Sequence, residues 1–167
     1  MNKKIIIGIV GLVAFLGLLF IISAPSNNTT IGASASQTTA GQISATETSY
    51  NFGSISMKKG NVSNTYKVKN SSEFPVEITK LYTSCMCTTA ALTIDGKKTG
   101  PFGMPGHGGT VPNIAVSLAP GQEGEVELIF DPAAHGSAGI GKIDRTVFIE
   151  SKGNPNFELT FTALVTP

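Results

Sequence analysis

Glu123-Gly124-Glu125-Val126-Glu127-Leu128-Ile129-Phe130 decides the fold class. Val126, Leu128 and Phe130 recur at a period of two, and Glu123, Glu125 and Glu127 take the alternate positions. A helix would scatter these residues around its circumference. A strand with one buried face sorts them, which leaves the glutamates as a solvated face. Working outward, Pro120-Gly121 makes a turn before this strand, and Ile114 to Leu118 forms a short strand before the turn. Asp131 to Lys142 reads as a loop. Arg145 to Glu150 and Phe157 to Ala163 are further strands, joined through Asn154-Pro155-Asn156.

The same texture extends upstream. Tyr50 to Ile55 is a first strand and Lys58-Lys59-Gly60-Asn61 a turn. Thr65 to Lys69 alternates, with Tyr66 and Val68 on one face. Asn70 to Pro75 is a loop, and Val76 to Lys80 alternates again and runs on to Tyr82. Thr89 to Ile94 reads as a strand. Asp95 to Pro112 is so rich in glycine and proline that it is expected to hold little regular structure. Seven or eight short strands with no helical period after Ile22 predict an all-β, immunoglobulin-like antiparallel sandwich, with a β-barrel as the alternative. The inward positions are expected at Tyr66, Val68, Val76, Ile78, Val126, Leu128, Phe130, Val147, Ile149, Phe157, Leu159 and Phe161.

The amino-terminal part is different. Lys3 and Lys4 precede an uncharged apolar run from Ile5 to Ile22. As a helix that run spans about 27 Å, close to the hydrocarbon thickness of a bilayer. It is long for a secretory signal peptide, and small-residue cleavage sites fit poorly around it. Residues 1–22 therefore read as a single uncleaved transmembrane anchor, with a cleaved signal as the alternative. No Lys or Arg follows until Lys58, so the positive-inside rule keeps the amino terminus cytoplasmic and exports the remainder. Residues 23–45 carry no charge and are rich in Ser, Thr and Ala, which predicts a flexible tether. Residues 46–167 are then one extracytoplasmic domain on a single-pass cell-membrane protein.

The chain of 167 residues has a formal net charge of +1. Without Lys3 and Lys4 the balance falls to about −1, and the single arginine, Arg145, makes no basic stripe, so nucleic acid is not an expected partner.

Ser84-Cys85-Met86-Cys87-Thr88 holds both cysteines. At that spacing they act as one local unit. Three uses follow from their chemistry: a structural corner, a strained and reducible disulfide between Cys85 and Cys87, or a soft-metal site for Cu(I) or Zn(II) with Met86 as a thioether donor. The loop Pro101-Phe102-Gly103-Met104-Pro105-Gly106-His107 adds Met104 and His107 as possible ligands, and His135 lies in a later loop. If each expected strand crosses the sandwich once, the cysteines occupy one end and both histidine loops the other. That topology counts against one shared cluster and allows a His107–His135 pair. No Ser/His/Asp order, Cys-x-x-Cys pair or phosphate-cradling motif occurs, so catalysis is not expected.

Taken together, Tyr50-Asn51-Phe52-Gly53, Lys69-Asn70, Pro75-Val76-Glu77-Ile78, Ser84-Cys85-Met86-Cys87-Thr88, Pro120-Gly121-Gln122 and Phe130-Asp131 resemble the bacterial family called domain of unknown function 1573. The resemblance covers about residues 50–165 and rests most on the Ser-Cys-x-Cys-Thr element. It implies an immunoglobulin-like sandwich on an envelope protein and no known chemistry. Asn51 departs from the family's usual acid, and the stretch between the cysteines and Pro120 is longer than is typical. The expected role is a membrane-anchored interaction module for an envelope protein or component, with no required cofactor. Cu(I) binding through the Cys-Met-Cys unit is the second reading and thiol redox the third.

Overall fold

A computed structural model describes residues 42–106 and 111–167. The expected anchor at 1–22, most of the tether and His107 lie outside the described residues.

The described chain is all-β. Ten strands run in the order β1 (Ile43–Ala45), β2 (Ser49–Ser56), β3 (Val62–Asn70), β4 (Val76–Thr83), β5 (Thr88–Ile94), β6 (Lys97–Phe102), β7 (Val116–Leu118), β8 (Glu123–Phe130), β9 (Gly141–Ser151) and β10 (Phe157–Thr166). They form two five-stranded sheets, β1-β3-β8-β5-β6 and β2-β10-β9-β4-β7. Among the described residues each sheet keeps two edges, so they form a sandwich and not the alternative of a closed barrel. Pairing is antiparallel throughout except for β2, which runs parallel to β10. That pair departs from the expected antiparallel pattern because β2 and β10 are the first and last strands of the second sheet and need no tight turn between them.

Alternation places the core where the sequence predicts it. Of the twelve inward positions, eleven are buried and Phe157 packs against the core from a half-buried position. Phe161 of β10 lies between the sheets. Its ring centroid is 5.3 Å from Phe130 of the facing sheet and 5.5 Å from Phe52 of β2. Tyr66 of β3 crosses the same gap, donating its hydroxyl to the Thr160 carbonyl at 2.6 Å.

Three elements differ from expectation. Ile43–Ala45 lies within the expected tether, yet it pairs with β3 and buries Ile43, so the folded unit starts before residue 46. Edge strands need little hydrophobic pattern, and three residues carry none. In β4 the register shifts between Ile78 and Lys80, which moves the buried face from Val76 and Ile78 to Leu81 and Thr83. The third is β6. Asp95 and Gly96 take positive φ values of 50° and 76° and turn the chain back on β5 as a two-residue hairpin. Regular structure therefore continues into the stretch read as an irregular loop.

Candidate functional site

The β5–β6 hairpin decides which loops meet. It adds one crossing of the sandwich, so every loop after it changes ends relative to the count without it. The loop following β6 returns to the cysteine end, where the Gly103 carbonyl accepts from Thr83 N at 3.2 Å. The β8–β9 loop also emerges there, and Asp131 N donates to the Cys87 carbonyl at 2.8 Å. The expected separation of cysteines and histidine loops is thus overturned by one unrecognised hairpin.

The cysteine corner is built by backbone bonds. The register shift in β4 turns Thr83 inward, and its single hydroxyl proton is shared between the carbonyls of Cys85 at 3.0 Å and Thr88 at 2.9 Å. Thr88 N closes the turn onto the Cys85 carbonyl at 3.1 Å. Ser84 fixes the corner to β9, donating from N to the Thr146 carbonyl and accepting at Oγ from Thr146 N, each at 2.9 Å. Cys85 and Cys87 are both buried and their sulfurs are bonded to each other, with Cα atoms 5.3 Å apart. Cys87 N also donates to Cys85 Sγ at 3.3 Å.

His135 completes the cluster. Its Nε2 lies 3.1 Å from Cys85 Sγ, and its ligand atom and the two sulfurs all fall within 4.8 Å of one another. The imidazole is exposed on its outer side. The loop holding it is short-tethered: Asp131 Oδ1 accepts from Ala133 N at 2.8 Å, and a 3-10 turn follows at Gly136–Gly139. A Cβ at Gly139 would stand 3.2 Å from His135 Cβ, so the glycine lets that turn close against the imidazole-bearing residue. Arg145 follows on β9 beside Thr146. Its Nε is buried with no partner among the described residues, and its Nη1 donates to the Asp144 carbonyl at 2.7 Å.

The expected ligand set is therefore partly regrouped. Cys85 and Cys87 are adjacent as expected. Met86 is 51% exposed while both cysteines beside it are buried, because three successive residues of a tight turn cannot all face the core. Met104 sits half-buried in the loop that reaches the cysteine end. His107 lies outside the described residues. The member missing from the expected set is His135. The signal that would have found it is the Asp95-Gly96 dipeptide, a strong hairpin signature that restores the correct crossing count.

A second feature lies on the other sheet. Among the described residues β2 has one neighbour, β10, and its other edge carries no strand. Across the outer face of β2, β10 and β9 runs a shallow groove of about 610 Å³ whose lining includes Ser54, Leu164 and the charged Lys142 and Asp144.

Comparison with known proteins gives a family match over part of the chain and a fold. The profile of a family described as protein of unknown function (DUF1573) matches residues 43–102. No curated protein matches the sequence. Among solved structures, a protein of unknown function from Porphyromonas gingivalis W83 is similar at 13% identity with a TM-score of 0.54, over 75% of this chain and 47% of that one. The chain thus spans about half of that protein. The secreted serine protease VesC from Vibrio cholerae aligns at 12% identity and a TM-score of 0.47, over 75% of this chain and 24% of the protease. The ASH/PapD-like domain of human CEP192 aligns at 10% identity and 0.43, over 76% and 87%. At these identities the likeness concerns the fold alone.

Proposed function

We propose, for a chain whose residues 43–102 belong to the DUF1573 family, that it is a membrane-anchored, extracytoplasmic immunoglobulin-like module. Its role is to bind an extended segment of an envelope protein along β2. The observation that carries this reading is the contrast between β2 and the other sheet edges. Natural sheets guard exposed edges with short strands, charges or proline, because an unguarded edge pairs with any strand that meets it. β1 and β7 are three residues long, and β6 carries Lys97, Lys98 and Pro101. β2 has eight residues and contains neither a charge nor a proline; its one irregularity is a bulge at Phe52-Gly53, where its register with β10 shifts, and the paired segments on either side leave their outer edge open.

An unguarded edge suits strand addition, in which backbone hydrogen bonds supply affinity and neighbouring pockets supply specificity. The groove on the adjoining sheet face, with the 45% exposed Leu164, offers such a pocket to a side chain that folds back over β2. Phe52, stacked edge-on against Phe161, holds β2 to the core so that the strand is presented ready-formed. The anchor rests on Lys3, Lys4 and the apolar run from Ile5 to Ile22, and the charge asymmetry around that run puts the module outside the cytoplasm. The role is binding without turnover, in keeping with the lack of a catalytic order of residues in the sequence.

Pull-down of the full-length chain from crosslinked envelopes tests the reading. One reproducible partner is expected with the parent chain. Replacing the exposed Ser49 and Ser54 by lysine should reduce its recovery at least tenfold while leaving the fold intact. Unchanged recovery with the lysine variant would remove β2 as the docking edge.

A further inference from the structure

We propose that Cys85, Cys87 and His135 form a redox-gated Cu(I) site, a property independent of the β2 reading. Two sulfurs and one imidazole nitrogen converge within 4.8 Å from two loops that the Asp131–Cys87 backbone bond holds together. Thiolate sulfur selects soft ions, and imidazole is a compatible third donor. Zinc held by two thiolates and one imidazole keeps a water in its fourth position, whereas Cu(I) is satisfied by three donors, the number that cysteine and histidine supply here. A three-donor set rich in sulfur therefore suits Cu(I). The buried sulfurs shield the ion from one side, and the exposed His135 leaves a way in from the other.

The bond between the sulfurs is the gate. While Cys85 and Cys87 are joined, neither has a thiolate to give, and the site is closed. A dithiol reductant of the exported compartment opens it by thiol–disulfide exchange. The reductant's two thiols become its own disulfide, and two electrons and two protons pass to Cys85 and Cys87, which become thiols. Cu(I) then displaces those two protons to solvent and forms two bonds to sulfur and one to neutral His135 Nε2. The sulfurs must separate to roughly 4.0 Å, the span of two metal–sulfur bonds of about 2.3 Å meeting at the angle of a three-coordinate ion. Side-chain rotation about Cα–Cβ supplies that movement without shifting the backbone.

The test uses the full-length chain in two forms, as isolated and after anaerobic phosphine reduction with the reductant removed. Each is titrated with Cu(I) against bicinchoninate as the competing chromophore. The reduced form should take one equivalent and the disulfide form none. Cys85→Ser and Cys87→Ser should each abolish uptake. His135→Ala, at an exposed position that the fold does not need, should bind one equivalent at least tenfold more weakly, with unchanged circular dichroism. Met104→Leu and His107→Ala should bind as the parent does. Equal uptake by the disulfide form, parental affinity in His135→Ala, or a loss in His107→Ala instead would each overturn the proposal. Because His135→Ala decides the ligand set alone, the proposal stays testable even if a cysteine variant misfolds.

Discussion

Tyr66 ties the two sheets together at one atom. Its ring is buried, and its hydroxyl donates to the Thr160 carbonyl of the opposite sheet at 2.6 Å. Burial pushes the phenol up to about 12. The unfolded chain gives up this proton near the ordinary value of 10, whereas the folded chain holds it to about 12. Between those values the folded state binds more protons, so stability falls as pH rises and the contribution is fully present only below 10. A phenolate absorbance titration should therefore show a last step near 12 that vanishes in Tyr66→Phe. That variant should also lose about 1 kcal/mol at neutral pH, the usual worth of one hydrogen bond. Asn70 is the other fully used side chain. Its Nδ2 donates to the carbonyls of Phe74 and Leu118, and its Oδ1 accepts from Ser72 N and Oγ. Asn70→Ala should cost about 3 kcal/mol in urea unfolding, since it strands buried backbone groups as well as losing its own bonds. In the sequence Asn70 is visible as a strand-ending residue, but the partners that its fold gives it, above all Leu118 far along the chain, are not. The cysteine pair is legible for the same reason that Asn70's role is not: its members are neighbours in the chain.

At the scale of elements, strands with a clean period of two are found at or near their expected bounds, and β8 matches at both ends. Strands that carry weak patterns are the ones missed. β1 has three residues, and β6 mixes Lys97, Lys98, Gly100 and Pro101, which mask a strand behind edge-protecting chemistry. The consequence is larger than the element, since β6 sets the end at which His135 emerges. Gly100 is what lets β6 lie against β5. At φ +114°, a Cβ there would stand 3.0 Å from the Ala90 carbonyl oxygen and 3.1 Å from Ala91 Cα. Gly100→Ala should therefore cost about 2–3 kcal/mol and raise amide exchange along β6, because backbone cannot yield as a side-chain tip does. Gly60→Ala is the control. At φ 78° and ψ −162° its backbone disfavours a side chain but open space surrounds the Cβ, so the cost should be about 1–3 kcal/mol with no rise in exchange along β6.

Across the whole molecule, cohesion rests on the aromatic contact between sheets. Phe161→Ala should cost about 4 kcal/mol, within the range for emptying a large aromatic from a packed core. It should also loosen β2, whose Phe52 packs on Phe161. The proposed anchor makes a separate prediction: alkaline carbonate should leave the full-length chain in the membrane pellet, and release of the intact chain would contradict it. The central claim is that β2 is the edge a partner uses. Its most direct test places a photocrosslinking residue at Ser54 on β2, and in a parallel chain at Lys98 on β6, in the full-length protein within its own envelope. We expect one adduct of discrete, reproducible mass from Ser54 and none from Lys98. Equal adducts from both edges, or no discrete adduct from Ser54, would contradict the account.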